Sequence, residues 1–181
     1  MSTLPIRAAV ALAALVCAAP ALAAEPPAKP AAAKPAAAKT AFDARDPAGL
    51  IGVLNGMGAK AEVAKNDAEG VFVNVTTPGY SFGLQFAGCD AGGKGCKGVA
   101  FSTAAGSKTA TLPQINGFNQ TSINCRAFQD PAGKAHISYS TLLFASDTAE
   151  DMRIHVGAWQ GCVAAFGEFL SDPPGFLARA P

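Results

Sequence analysis

The chain has 181 residues, half of them apolar, and a formal net charge of +1 from 14 Lys and Arg against 13 Asp and Glu. Between residues 42 and 172 the balance is nine basic against twelve acidic residues, a net charge of −3. That excludes the basic footprint of a nucleic-acid-binding domain. The lack of a second long apolar run excludes a polytopic helical membrane protein.

In chain order, the start reads as a leader. Residues 1–7 are short and positively charged, residues 8–19 are an apolar run of Ala, Leu and Val, and Pro20 breaks it. Ala21-Leu22-Ala23 then has the small-x-small pattern of a signal-peptidase site. The expectation is a signal peptide over residues 1–23 and a periplasmic or secreted protein. Cys17 is a poor lipidation site, because the large Val16 precedes it. Residues 24–41, AEPPAKPAAAKPAAAKTA, hold no aromatic residue and no Val, Ile or Leu. Such a tract cannot bury enough apolar surface to offset its ordering entropy, and it is expected to be a disordered Ala/Pro/Lys linker.

About 130 residues remain, 42–172, the size of one domain. "DPAGLIGVLNGMGAK" predicts a short helix: Asp46 caps it, Pro47 suits its first position, and Leu50, Leu54 and Met57 recur at helical spacing. Strands follow. Ala61, Val63 and Lys65 alternate; Val71, Val73 and Val75 share a face; Phe82, Leu84 and Phe86 share the next; and "KGVAFSTAA" makes a fourth. Ile115, Phe118 and Ser122 or Ile123 fit a short middle helix, and "CRAFQDPAGKAHISYSTLLF" is a hairpin turning at Asp130-Pro131-Ala132-Gly133. Met152, Val156, Trp159, Val163, Phe166 and Leu170 step by 4, 3, 4, 3, 4, which is one stripe of a long helix. Pro173-Pro174 is expected to stop that helix and leave a flexible tail over 173–181. The fold class is α+β in the order α-β-β-β-β-α-β-β-α, an antiparallel sheet with helices packed on one side.

"FAGCDAGGKGCKGVAF", residues 86–101, contains G-x-G-x-x-G at Gly93, Gly95 and Gly98. A dinucleotide fingerprint needs a helix straight after the glycines to hold the pyrophosphate. A strand follows instead, so the glycines read as a hairpin loop. Four cysteines remain beyond the leader: Cys89, Cys96, Cys125 and Cys162. An even number in an exported domain suggests two disulfides, Cys89–Cys96 across the loop and Cys125–Cys162 between strand and last helix. The competing readings are a zinc site and a thiol-redox centre. C-x6-C with two lone cysteines fits zinc spacing poorly, and C-x-x-C is absent. No G-x-S-x-G or H-E-x-x-H occurs, and Asp151 and His155 are spaced to pair on a helix surface. No catalytic, metal or cofactor residue is expected.

With this layout, residues 44–172 resemble the YbjN family of bacterial sensory-transduction-regulator domains. The resemblance rests on "LIGVLNGMGAKAEV" with "DAEG", on "INGFNQTSINCRAFQDPAGKAHISYSTLLF", and on "MRIHVGAWQGCVAAFGEFL". The family's Asn-x-aromatic-Asn group is met by Asn116, Phe118 and Asn119, and its Arg before an aromatic by Arg126 and Phe128. The chain departs from the family in its leader and in Cys125 and Cys162. The resemblance implies a fold similar to type III secretion chaperones and a non-catalytic domain that binds a protein partner, with a homodimer possible. It implies candidate partner contacts at Asn116, Phe118, Asn119 and Arg126. The asparagines have a structural reading too, as amides that satisfy backbone groups beside a short helix. The function expected is an exported, non-catalytic binding or regulatory domain of the bacterial envelope. The alternative is a thiol-redox or metal-dependent periplasmic enzyme.

Overall fold

The computed structural model describes residues 41–179; the predicted leader and residues 24–40 of the linker lie outside them. The order is α1 (Pro47–Gly56), β1 (Lys60–Asp67), β2 (Gly70–Thr76), β3 (Ser81–Ala87), β4 (Gly98–Ala104), α2 (Leu112–Thr121), β5 (Cys125–Gln129), β6 (Ala135–Leu142), α3 (Ala149–Ser171) and α4 (Pro173–Arg179). The fold class is the α+β one expected, with a fourth helix added. The strands form one antiparallel sheet in the order β1-β2-β3-β4-β6-β5. α2 carries the chain to the far edge, where it enters β5, and β6 returns between β4 and β5.

The helices start where their caps stand. Asp46 accepts the Ala48 N–H at 3.0 Å, with Pro47 as the first helical residue of α1. Thr111 with Gln114 and Thr148 with Asp151 form reciprocal capping boxes on α2 and α3. Alternation sends Val71, Val73, Val75, Phe82, Leu84, Phe86, Val99, Phe101, Ile137 and Tyr139 to the helix-covered face. The α3 stripe meets them: Met152, Val156, Trp159, Phe166 and Leu170 are buried and Val163 is partly so. Trp159 packs against both Phe82 and Phe101, at 5.4 and 5.9 Å between ring centroids. Phe118, Phe166 and Phe169 form a second aromatic cluster. Deleting a ring from such a cluster costs about 3–5 kcal/mol.

Three expectations need correction. The stretch from residue 173 is helical through Arg179 rather than a flexible tail. Pro173 ends α3 and also presets the first position of α4, while Asp172 accepts the Gly175 N–H at 3.0 Å. Phe176 then packs on Phe118 and Phe169, each at 5.8 Å. In β1, Lys65 does not share a face with Ala61 and Val63. A bulge between Val63 and Lys65 sets Lys65 opposite Phe72, and its Nζ lies 5.3 Å over that ring. Met57 is 45% exposed, and Val53 fills the core position on α1 instead.

Candidate functional site

Among the described residues, no helix covers the second face of the sheet. The register lines its side chains into rows across the strands. One row runs Asn74, Gly83, Ser102, Ser138, Arg126, and the next runs Phe72, Gln85, Ala100, Ser140. Gly83, Ser102 and Ser138 in the first row and Ala100 and Ser140 in the second are small, so the face sinks beside Leu142, with Phe72 beyond Gln85 on the β2 side. The depression measures about 390 Å³ and is lined by Gln85, Ala87, Gly98, Val99, Ala100, Ser140, Thr141 and Leu142. Leu142 is 65% exposed beside it. Phe128 stacks on His136 at 5.0 Å, and His136 Nε2 lies 3.1 Å from Asp130 Oδ2. The Ser138 hydroxyl donates to the Arg126 carbonyl.

The four residues marked as partner contacts gather at the α2–β5 corner, and they do different things. Phe118 is fully buried in the aromatic cluster, so it is core and not a surface contact. Its place among Phe166, Phe169 and Phe176 fixes α2 to the long helix. Asn119 pairs with both backbone groups of Ala127: its Nδ2 donates to the carbonyl at 3.0 Å, and its Oδ1 accepts the N–H at 2.8 Å. An amide side chain thus stands where a seventh strand would pair. Arg126 Nη1 donates to the carbonyls of Ser122 and Cys125, and the Ser122 hydroxyl takes the Cys125 N–H. This edge of the sheet is closed by its own chain. Asn116 is exposed on α2, on the solvent side of the same corner.

The cysteines pair as expected, Cys89 with Cys96 and Cys125 with Cys162, at S–S distances of 2.09 and 2.05 Å. The second bond ties β5 to α3. Gly93, Gly95 and Gly98 belong to the loop and the start of β4, with no helix N-terminus behind them. That loop and the β5–β6 loop are the same turn. In each, the aspartate N–H reaches a lysine carbonyl four residues on, at 2.7 Å for Asp90 and 3.0 Å for Asp130. In each, Oδ1 accepts two backbone N–H groups, from Gly92 and Lys94 or from Ala132 and Lys134. In each, a glycine at positive φ donates back to the aspartate carbonyl.

Other charged groups are similarly engaged. A polar recess of about 430 Å³ between the β1–β2 turn and the cysteine loop presents Asp67, Glu69 and Asp90. Lys65 holds Asp67 and Glu69, and Asp90 is spent on its turn. The hydrogen bond from Lys65 to Asp67 raises the lysine and lowers the carboxyl relative to their ordinary values. His155 does not pair with Asp151 in the way its spacing suggests. Its Nδ1 lies 2.6 Å from the Tyr139 hydroxyl, while Asp151 caps α3. Burial pushes the Tyr80 phenol up, and the nearby Trp159 indole pulls it the other way without well-formed hydrogen-bond geometry. Among the described residues no three His, Cys, Asp or Glu side chains are grouped to hold a metal ion.

Helices packed on one side of the sheet imply this open face, but none of the residues marked from the sequence as partner contacts lines the depression. Its signal was present in Gly83, Ala100, Ser102, Ser138 and Ser140, small or polar residues at alternate positions of three strands. No family model, curated protein or solved structure matches the chain.

Proposed function

We propose that this is an exported, non-catalytic, YbjN-like regulatory domain that binds a protein partner in the bacterial envelope through the open face of its sheet. The observation that carries the reading is that face, uncovered among the described residues: six paired strands whose small central residues leave a depression beside exposed Leu142, with Phe72 beyond Gln85. Exposed concave surfaces of this composition recur where proteins meet partners. Two disulfides support an oxidising compartment, and the signal-peptide pattern of residues 1–23 points the same way.

The test is affinity capture from an envelope extract, comparing the native protein with Ala100→Arg on the open face and Ile154→Glu on exposed α3. Capture lost with Ala100→Arg and kept with Ile154→Glu supports the proposal. Capture indifferent to Ala100→Arg overturns it. Thiol titration of the denatured, unreduced protein separates the enzyme alternative, since a redox catalyst cycles through a reactive reduced pair and a structural framework does not.

A further inference from the structure

The opposite edge of the sheet is not closed as β5 is. Among the described residues β1 pairs with β2 alone, and only Ala61 of the strand is buried. Among the described residues, the one hydrogen bond its outer edge makes to another element is the Ala61 N–H donating to Asn55 Oδ1, at 2.9 Å. Val63, in the middle of the strand, is 54% exposed.

We propose that β1 pairs antiparallel with β1 of a second copy of this chain, with Val63 opposite Ala64 across the twofold axis. The bulge decides which side of the sheet the strand's charges take. Without it, Lys60 and Glu62 would face one side of the sheet, and Lys65 and Asp67 the other. With it, Lys65 opposes Phe72 and all four charges lie on the open face. Within one chain they alternate along the strand, Lys60 beside Glu62 at 3.1 Å and Lys65 beside Asp67.

Lay the strand KAEVAKND against itself in that register. Lys60 then faces Asp67 of the other copy, and Glu62 faces Lys65, on the same face and twice over by symmetry. The eight charges form two alternating squares, each charge bordered by opposites. Slipping by two residues in either direction destroys this. One slip sets Lys60 against Lys65, the other Glu62 against Asp67, and like charges directly opposite are unfavourable.

The backbone agrees with the side chains. The Ala61 N–H points away from β2 to Asn55, so the alternation of an antiparallel ladder turns Val63 outward before the bulge and, with the shifted register, Asn66 after it. The register sets Ala61 opposite Asn66, two residues whose groups both point outward, as an antiparallel hydrogen-bonded pair requires. An unbulged strand in the same register would set an outward-facing residue against an inward-facing one. Asn55, exposed at the end of α1, gives up the Ala61 N–H in the exchange. Val63 gains cover from the partner strand at the axis. Edge charges ordinarily repel added strands; these reject foreign strands and shifted registers while accepting a copy of themselves. The inference concerns the β1 edge and does not depend on the open-face reading.

Sedimentation velocity on the purified protein over a range of concentrations tests it. The expected result is a reversible dimer whose dissociation constant rises with salt. Lys65→Glu sets two carboxylates against each other, the new one and Glu62 of the other copy, and raises that constant at least about tenfold, or about 1.4 kcal/mol. The exchanged pair Glu62→Lys with Lys65→Glu rebuilds the cross-strand contacts and restores the dimer. Amide exchange at Val63 reads the same equilibrium without a variant, slowing as concentration rises. A monomer at every concentration with Val63 exchange unchanged overturns the proposal. So does a dimer that Lys65→Glu leaves intact, or one that the exchanged pair fails to restore.

Discussion

The β3–β4 and β5–β6 hairpins carry the same aspartate turn with the same backbone hydrogen bonds, yet they are held in different ways. The Asp90 turn is fastened at the turn itself. Cys89–Cys96 closes it, the Cys96 N–H reaches the Arg45 carbonyl at 2.9 Å, and Lys94 pairs with Asp46 at 2.9 Å, the residue that caps α1. The Asp130 turn stands out in solvent and is steadied by His136 from its own hairpin. That hairpin is fastened at the other end, by Cys125–Cys162 to α3. A turn sequence fixes local geometry, then, and says nothing of how that geometry is anchored; the surrounding packing decides that.

The comparison can be broken at the fastenings. Replacing Cys125 and Cys162 by Ser opens a 37-residue closure and should cost about 4 kcal/mol, read as a loss of denaturation midpoint. Gly93→Ala comes next, at about 2–3 kcal/mol. The residue has φ 73°, and a Cβ would come within 2.6 Å of Asn66 Nδ2 and 3.0 Å of Val71, so backbone strain and crowding add. Replacing Cys89 and Cys96 by Ser, which frees a closure of seven residues, should cost about 2 kcal/mol. Gly133→Ala should cost about 1 kcal/mol, because φ is 78° but nothing lies within 4 Å of the new methyl. Equal losses at Gly93 and Gly133 would show that the first turn is no better anchored than the second.

The smallest effect concerns pH. The hydrogen bond from His136 first, then those from the Lys134 and Ala132 N–H groups, hold the Asp130 carboxyl below its ordinary 3.8. A carboxyl depressed in the folded state contributes stability that is full above its ordinary value and is lost as pH falls through the lowered one. Asp130→Asn should therefore lower the melting temperature slightly near neutral pH, and the difference should fade as pH falls below 3.8. A difference that persisted in acid would assign the effect to turn geometry rather than to charge.

What was legible in the sequence was whatever has a local period. The 4-3-4-3-4 spacing on α3 marked its buried face, although it passed over Phe169 and Cys162, which occupy the flank turned to α2 and β5. The cap at Asp46 was readable because one side chain reaches only a few residues. Lys65 was misplaced because a bulge breaks a two-residue period and leaves no composition mark. Pro173-Pro174 signals both the end of one helix and the start of the next, and only Phe176 meeting Phe118 decides between them. Asn119 illustrates the remaining difficulty. That its amide would satisfy backbone groups beside a short helix was readable, and it does; that the groups belong to Ala127, eight residues away on another element, was not.

The chain has one tryptophan, and it sits fully buried where α3 crosses the sheet, against Phe82 and Phe101. The protein consequently carries its own optical gauge at the centre of its core. Indole fluorescence from a site so dry lies at short wavelength and shifts red when water enters. Cys162 follows Trp159 by three residues on the same helix, and its disulfide to Cys125 quenches light emitted nearby. Reduction of that bond should brighten the emission before unfolding shifts its colour, so a single label-free trace separates loss of the fastening from loss of the fold.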